Sequence, residues 1–190
     1  AWVWELARVN FPGAILILDF YHAMQHLHGL VEALCGKDTV EGTPDDQAAW
    51  IAERIVEVFE ANALRLPSIA VFVPSEEQVV PVCRVLTTQL EAHNIPVEAS
   101  HGGRILGNQA KVRVFNVEFI KGLEFEAVFF VGIDQLAMTA PTLVDRYLYV
   151  GLTRARNFLA VTCGTAFPEQ LKHVQAMFKD GNWKRFAELS

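Results

Sequence analysis

Ile69-Ala70-Val71-Phe72-Val73 is apolar at every position. A run of this length without alternation predicts a strand covered on both faces, as in a parallel sheet. Directly after it, Ser75-Glu76-Glu77-Gln78 has the spacing of a capping box and predicts that a helix begins at once. Pro81 falls early in that helix, where a lost N–H costs less than further in. Upstream, Thr43-Pro44-Asp45-Asp46 predicts another helix start: a hydroxyl cap, proline in the first turn, then acids. Ile51, Ile55, Val58 and Phe59 continue it along one side. Downstream, Ala127-Val128-Phe129-Phe130-Val131-Gly132 repeats the fully apolar pattern.

Weaker signals fill the spaces between. Strands are predicted at 97–99, 111–117 and 158–162, and a turn at His101-Gly102-Gly103. A helix is expected from about Thr142 to Arg156, and another over Leu171–Phe178, with Trp183 and Phe186 in a closing segment. Strands alternating with helices imply an α/β fold with a parallel, doubly wound sheet. At the front, Trp2–Val9, Ala14–Leu18 and Tyr21–Cys35 read as a helix–strand–helix appendage. Residues 36–44 carry two glycines and a proline and read as a linker. The expected organisation is therefore an appendage over 1–35, a linker over 36–44 and the α/β domain over 45–190.

Composition narrows the class. With 52% hydrophobic and 20% charged residues, the 190-residue chain is expected to be globular and ordered. No apolar run nears the roughly 18 residues that span a bilayer, and the N-terminus has no basic leader, so no membrane partner is expected. The first residue is Ala1, not Met, and the chain reads as a fragment. Cys35, Cys83 and Cys163 stand far apart in apolar contexts, which fits a reducing, cytoplasmic setting and no zinc site. The net charge is −6, unlike the basic footprint of a stand-alone nucleic-acid binder. Between His101 and Ala160, however, Arg104, Lys111, Arg113, Lys121, Arg146, Arg154 and Arg156 face only five acids. Any nucleic-acid contact is expected to be local and weak in isolation.

Two phrases could carry chemistry. Lys121-Gly122-Leu123-Glu124-Phe125 follows a predicted strand and is expected at the carboxyl edge of the sheet, where open α/β sheets bind ligands. Lys121 offers a charge to a phosphate, Gly122 a close backbone approach, and Glu124 an acceptor for a sugar hydroxyl. The alternative is a solvated Lys–Glu loop. Tyr149-Val150-Gly151-Leu152-Thr153-Arg154-Ala155-Arg156 closes a predicted helix. Its arginines either complement the helix dipole or present a guanidinium to a phosphate. Gly151 costs about 1 kcal/mol in a helix interior, so a packing or approach reason is expected.

Together the two phrases resemble motifs V and VI of UvrD-like superfamily 1 DNA helicases. The resemblance runs from about Asp45 to Phe178 and covers the second RecA-like domain of those enzymes. Val71-Phe72-Val73-Pro74-Ser75 resembles an early strand of that domain. The resemblance implies a RecA-like parallel sheet flanked by helices. It also implies an arginine finger at Arg154, nucleotide contacts from Gly122 and Glu124, and a DNA contact near Lys121. ATP and magnesium would be the cofactors, single-stranded DNA a partner, and the ATP-binding RecA-like domain a second partner outside this chain. One departure is Glu118, where the family often has histidine. A larger one is that no Gly-x-x-x-x-Gly-Lys-[Ser/Thr] occurs in the sequence, nor a matching Asp-Glu pair for magnesium. The chain alone is therefore expected to be inactive.

The front of the chain resembles something else. Ile17-Leu18-Asp19-Phe20-Tyr21-His22 is similar to a stretch of bacterial DDE transposases, in which the Asp binds metal. Asp19 would then be a relic acid, because one carboxylate cannot hold two metal ions. His26 and His28 read as helix-surface residues. Three functions stay open: helicase core domain, non-catalytic RecA-like binding module for nucleic acid or partners, and transposase-derived fragment.

Overall fold

The computed structural model describes residues 43–103, 110–120, 123–164 and 168–169. The transposase-like stretch, Asp19 with its neighbouring histidines, Lys121, Gly122 and the predicted helix over 171–178 lie outside them.

Helix α1, Pro44–Ala61, starts where its sequence signals place it. The Thr43 hydroxyl accepts from the Asp46 N–H, and the Asp46 carboxylate accepts in return from the Thr43 N–H at 2.8 Å. Ile51, Ile55 and Val58 are buried beneath it. Strand β1, Ile69–Val73, is buried at every residue. Helix α2, Glu76–Leu90, follows, then β2, Val97–Ser100, and β3, Val112–Asn116. Strand β4, Phe125–Phe130, leads to two helices, α3, Ile133–Thr139, and α4, Val144–Leu152, and the chain returns in β5, Ala155–Val161.

The five strands are all parallel, in the order β2-β3-β1-β4-β5. Helices α1 and α2 cover one face, over Ile69, Val71, Val73, Val112, Val114 and Phe129. Helices α3 and α4 cover the other, over Ala70, Phe72, Phe115, Val128 and Phe130. The alternation of β1 side chains between two cores explains why its sequence shows no polar face. The second face is aromatic. Phe72 lies 6.0 to 6.3 Å from the rings of Phe115, Phe125 and Phe130, in tilted and edge-on pairs. Such pairs contribute about 0.5–1.5 kcal/mol each beyond their burial.

Three local expectations are corrected. Ser75 caps α2 by position only, without a side-chain hydrogen bond, and the Gln78 side chain bonds Gln135 on α3 instead of closing the box. Pro81 stands beyond the first turn of α2, on its exposed side, so an interior backbone bond is missing there. The helix predicted over Thr142–Arg156 is shorter: α4 ends at Leu152, and Ala155 and Arg156 already belong to β5. Helix α3 was not predicted at all. Its seven residues are too few to show a period, and it starts directly after Gly132, whose φ of 64° makes the sharp turn out of β4.

Candidate functional site

The position of Glu124 follows from the parallel register. Asn116 ends β3 level with Val73, at the carboxyl edge, whereas Ala127 pairs with Ile69 at the start of β1. Because β3 and β4 are both parallel to β1, β4 begins at the opposite edge from the one where β3 ends. Glu124 therefore lies at the amino edge of β4, not at the carboxyl edge expected for its phrase.

Arg154 reaches the same edge from the other side. Helix α4 runs back over the aromatic face and ends there. Gly151 lets it come close: a Cβ at that position would stand 2.9 Å from the Phe130 ring and 3.2 Å from Phe72. Packing, not ligand approach, is the reason for this glycine. After Leu152 the chain turns at Thr153 and Arg154, and the Arg154 carbonyl accepts the Phe125 N–H at 2.8 Å. That bond fastens the residue after Glu124 to the end of α4. The Arg154 side chain is half-buried. Its Nε donates to the Val150 carbonyl at 3.0 Å, and its NH1 reaches the Leu123 carbonyl at 3.5 Å. Arg154 thus caps the Val150 carbonyl at the end of α4, where a cation also complements the helix dipole. Three of its five N–H groups have partners, the third being a long contact from NH2 to the Thr153 hydroxyl.

Arg156, the second residue of β5, completes the cluster. Its Nε donates to Glu124 Oε2 at 2.9 Å, and its NH2 donates to the same oxygen. Both side chains remain more than half exposed. The Arg156 hydrogen bond and charge hold the Glu124 carboxyl below its ordinary value of 4.5, and Arg154 adds a smaller pull in the same direction. The next carboxylate along, Glu126, is turned to Ser68, whose N–H it accepts at 2.8 Å. Glu124 is therefore the acid that shares its surroundings with the two arginines.

Two other described cations of the 101–160 region share one acid. Lys111 and Arg113 both lie 3.6 Å from Glu98 on β2. No group of three or more His, Cys, Asp or Glu among the described residues is placed to hold a metal ion. No described helix is long and apolar enough to cross a membrane.

Of the candidates, the structure brings Glu124 and Arg154 together, while Lys121, Gly122 and Asp19 lie outside the described residues. Sequence reading did not single out Arg156 as a site residue. The signal lay in the two phrases themselves, because adjacent parallel strands that both begin beside a charged residue bring those charges together.

The arrangement defines a class: a three-layer α/β domain of RecA-like architecture with an arginine-rich amino edge. Comparison with known proteins adds a family resemblance. Residues 111–162, which include both phrases, match the family model of the UvrD-like helicase C-terminal domain. The fold is similar to the C-terminal domain of a candidate DNA helicase from Lactobacillus plantarum WCFS1, at 18% identity and a TM-score of 0.53. That similarity covers 82% of this chain and 92% of the other. A further similarity is to an arterivirus nonstructural protein 10 (helicase), at 12% identity and a TM-score of 0.38, covering 86% of this chain and 35% of that one. No curated protein matches the chain.

Proposed function

We propose that this chain supplies the C-terminal RecA-like domain of an ATP-dependent DNA helicase. The observation that carries the reading is the meeting of Glu124 and Arg154 at one edge, from phrases separated by a whole strand and two helices. Arg154 is the arginine finger. Its tether to the Val150 and Leu123 carbonyls fixes the guanidinium on a rigid element, which limits the entropy lost when it meets a phosphate. Glu124 accepts from the sugar hydroxyl, and Gly122 and Lys121 belong to the same phrase as nucleotide and DNA contacts respectively.

The donor chemistry of the edge fits a nucleotide from one side only. Two guanidinium groups and one carboxylate can meet phosphate and sugar. Magnesium and the remaining phosphate contacts fall to a partner RecA-like domain. When bound, ATP supplies the phosphoryl group whose transfer to water drives movement on single-stranded DNA. An arginine finger contributes about 10³–10⁵ in rate, but only to a site built elsewhere. The purified chain is therefore expected to hydrolyse no ATP above background, with or without single-stranded DNA. Robust turnover that disappears in Arg154→Ala contradicts this.

One observation favours a second reading, a non-catalytic RecA-like module that recruits nucleic acid or partners. The donors of Arg154 are directed at its own backbone, as in a structural cap. Salt-dependent binding of single-stranded DNA that is unaffected by Arg154→Ala is the result that reading expects.

A further inference from the structure

We infer that Arg156 is a second phosphate-binding cation of the amino edge, and that Glu124 gates it by competing for its guanidinium. The inference rests on the reading of this edge as the wall of a nucleotide site.

Three features of the cluster carry it. First, Nε and NH2 of Arg156 converge on a single oxygen of Glu124, Oε2. This is not the parallel two-oxygen pairing that makes an arginine–carboxylate bridge strong. Second, Arg156 is 64% exposed and Glu124 53%, so the pair sits in the solvent-screened regime where ion pairs are weak and exchange readily. Third, the two arginines differ in how they are held. Arg154 is tied to backbone carbonyls that belong to the fold, whereas Arg156 is held by an exposed side chain of opposite charge.

Arg154 and Arg156 flank the turn into β5, and both contact the Leu123–Glu124 segment, so both long side chains can reach one polyphosphate. A polyphosphate carries several charges and presents oxygens that match the guanidinium fork. A lone carboxylate bound through one oxygen is the weaker competitor. Glu124 released from Arg156 is then free to accept from a hydroxyl. Gating and sugar contact become successive roles of the same carboxylate, and Arg156 is a specificity residue for polyanionic ligands over singly charged ones.

The test is calorimetric titration of inorganic triphosphate into the purified chain at low, fixed ionic strength. Inorganic triphosphate has no sugar, so the proposed hydroxyl contact of Glu124 does not enter. Glu124→Gln is expected to bind triphosphate about fivefold more tightly than the parent chain, the scale of an exposed ion pair. The gain is expected to vanish when Arg156→Ala is added. Equal or weaker binding by Glu124→Gln overturns the inference, as does a gain that persists without Arg156, or a lack of binding by every variant. Arg154→Ala separates this inference from the function proposed above. If Arg154→Ala leaves binding intact while Glu124→Gln strengthens it through Arg156, the gate stands and the finger assignment falls. If Arg154→Ala abolishes binding while Glu124→Gln changes nothing, the finger stands and the gate falls.

Discussion

The two ends of the β4–β5 pair are built on opposite principles. At the carboxyl end, buried polar groups close the space. Buried Gln47, reaching from α1, accepts from the Gly132 N–H at 3.0 Å and from the Thr162 hydroxyl at 2.6 Å. Thr162 in turn pairs its backbone with Phe130 and Ile133, and the Asp134 carboxylate accepts the Gly164 N–H. Burial there pushes the Cys163 thiol up to about 12. At the amino end, charges are exposed, and Arg156 pulls the Glu124 carboxyl down. Open α/β sheets usually place ligands beyond the carboxyl ends of their strands. Here that end of this strand pair is sealed by a helix from the first segment of the domain. The opposite end keeps the groups that could meet a ligand. The lesson is to locate a site from the burial and charge of both strand ends, not from the direction of the strands alone.

Variants can break this contrast, and the largest effect should come from the packing that sets both ends. Gly151→Val pushes a side chain into the Phe130 and Phe72 rings, both fully buried. A loss of about 1–3 kcal/mol in stability is expected from urea unfolding. The displacement of α4 should also weaken triphosphate binding, because Arg154 follows its last turn. A Gly151→Val protein with parent-like stability shows that α4 is not clamped on the aromatic face as described.

Gln47→Leu comes next. It removes the buried acceptor shared by Gly132 and Thr162 while keeping the volume. A loss of about 1 kcal/mol is expected, because the Gly132 N–H keeps the Thr162 hydroxyl as a partner, with ligand binding at the amino edge unchanged. A protein that keeps its stability but loses anion binding reverses the roles assigned to the two ends.

The smallest effect belongs to the exposed end. The folded-state value of Glu124 lies below the unfolded one, so its contribution is present above about pH 4.5 and is lost as pH falls through the lowered value. Glu124→Gln is expected to be slightly less stable than the parent at neutral pH. The two should converge in thermal midpoint as the pH is taken below that range. A difference that grows on acidification contradicts the ion pair.

How much of this was legible in the sequence depends on the range of the interaction. Strands β1 and β4 announced themselves because both faces are buried, leaving Ile69–Val73 and most of Phe125–Phe130 apolar. The start of α1 was legible because its cap is local, between Thr43 and Asp46. The Ser75–Gln78 signal placed the start of α2 correctly but not the bonds of its box, and the Gln78 side chain found Gln135 across the carboxyl edge instead. Arg154 and Glu124 could be named from their phrases, but not the edge they occupy. That edge follows from the parallel pairing of β3, β1 and β4, which starts β4 at the edge opposite to the end of β3. The Arg156–Glu124 pair was illegible for a related reason: it is set by the register of Phe125 against Ala155.

The contrast between the two ends is tested most directly by NMR titration of ATP into the labelled chain, reading the arginine Nε–H groups together with the backbone amides. Even weak binding moves these resonances. The expected result is a set of shifts centred on Arg154, Arg156, Phe125 and Ala155, with Gly132, Ile133 and Gly164 unmoved. Shifts centred on Gly132, Gln135 and Asn116, with the two arginines silent, contradict the assignment of the amino edge.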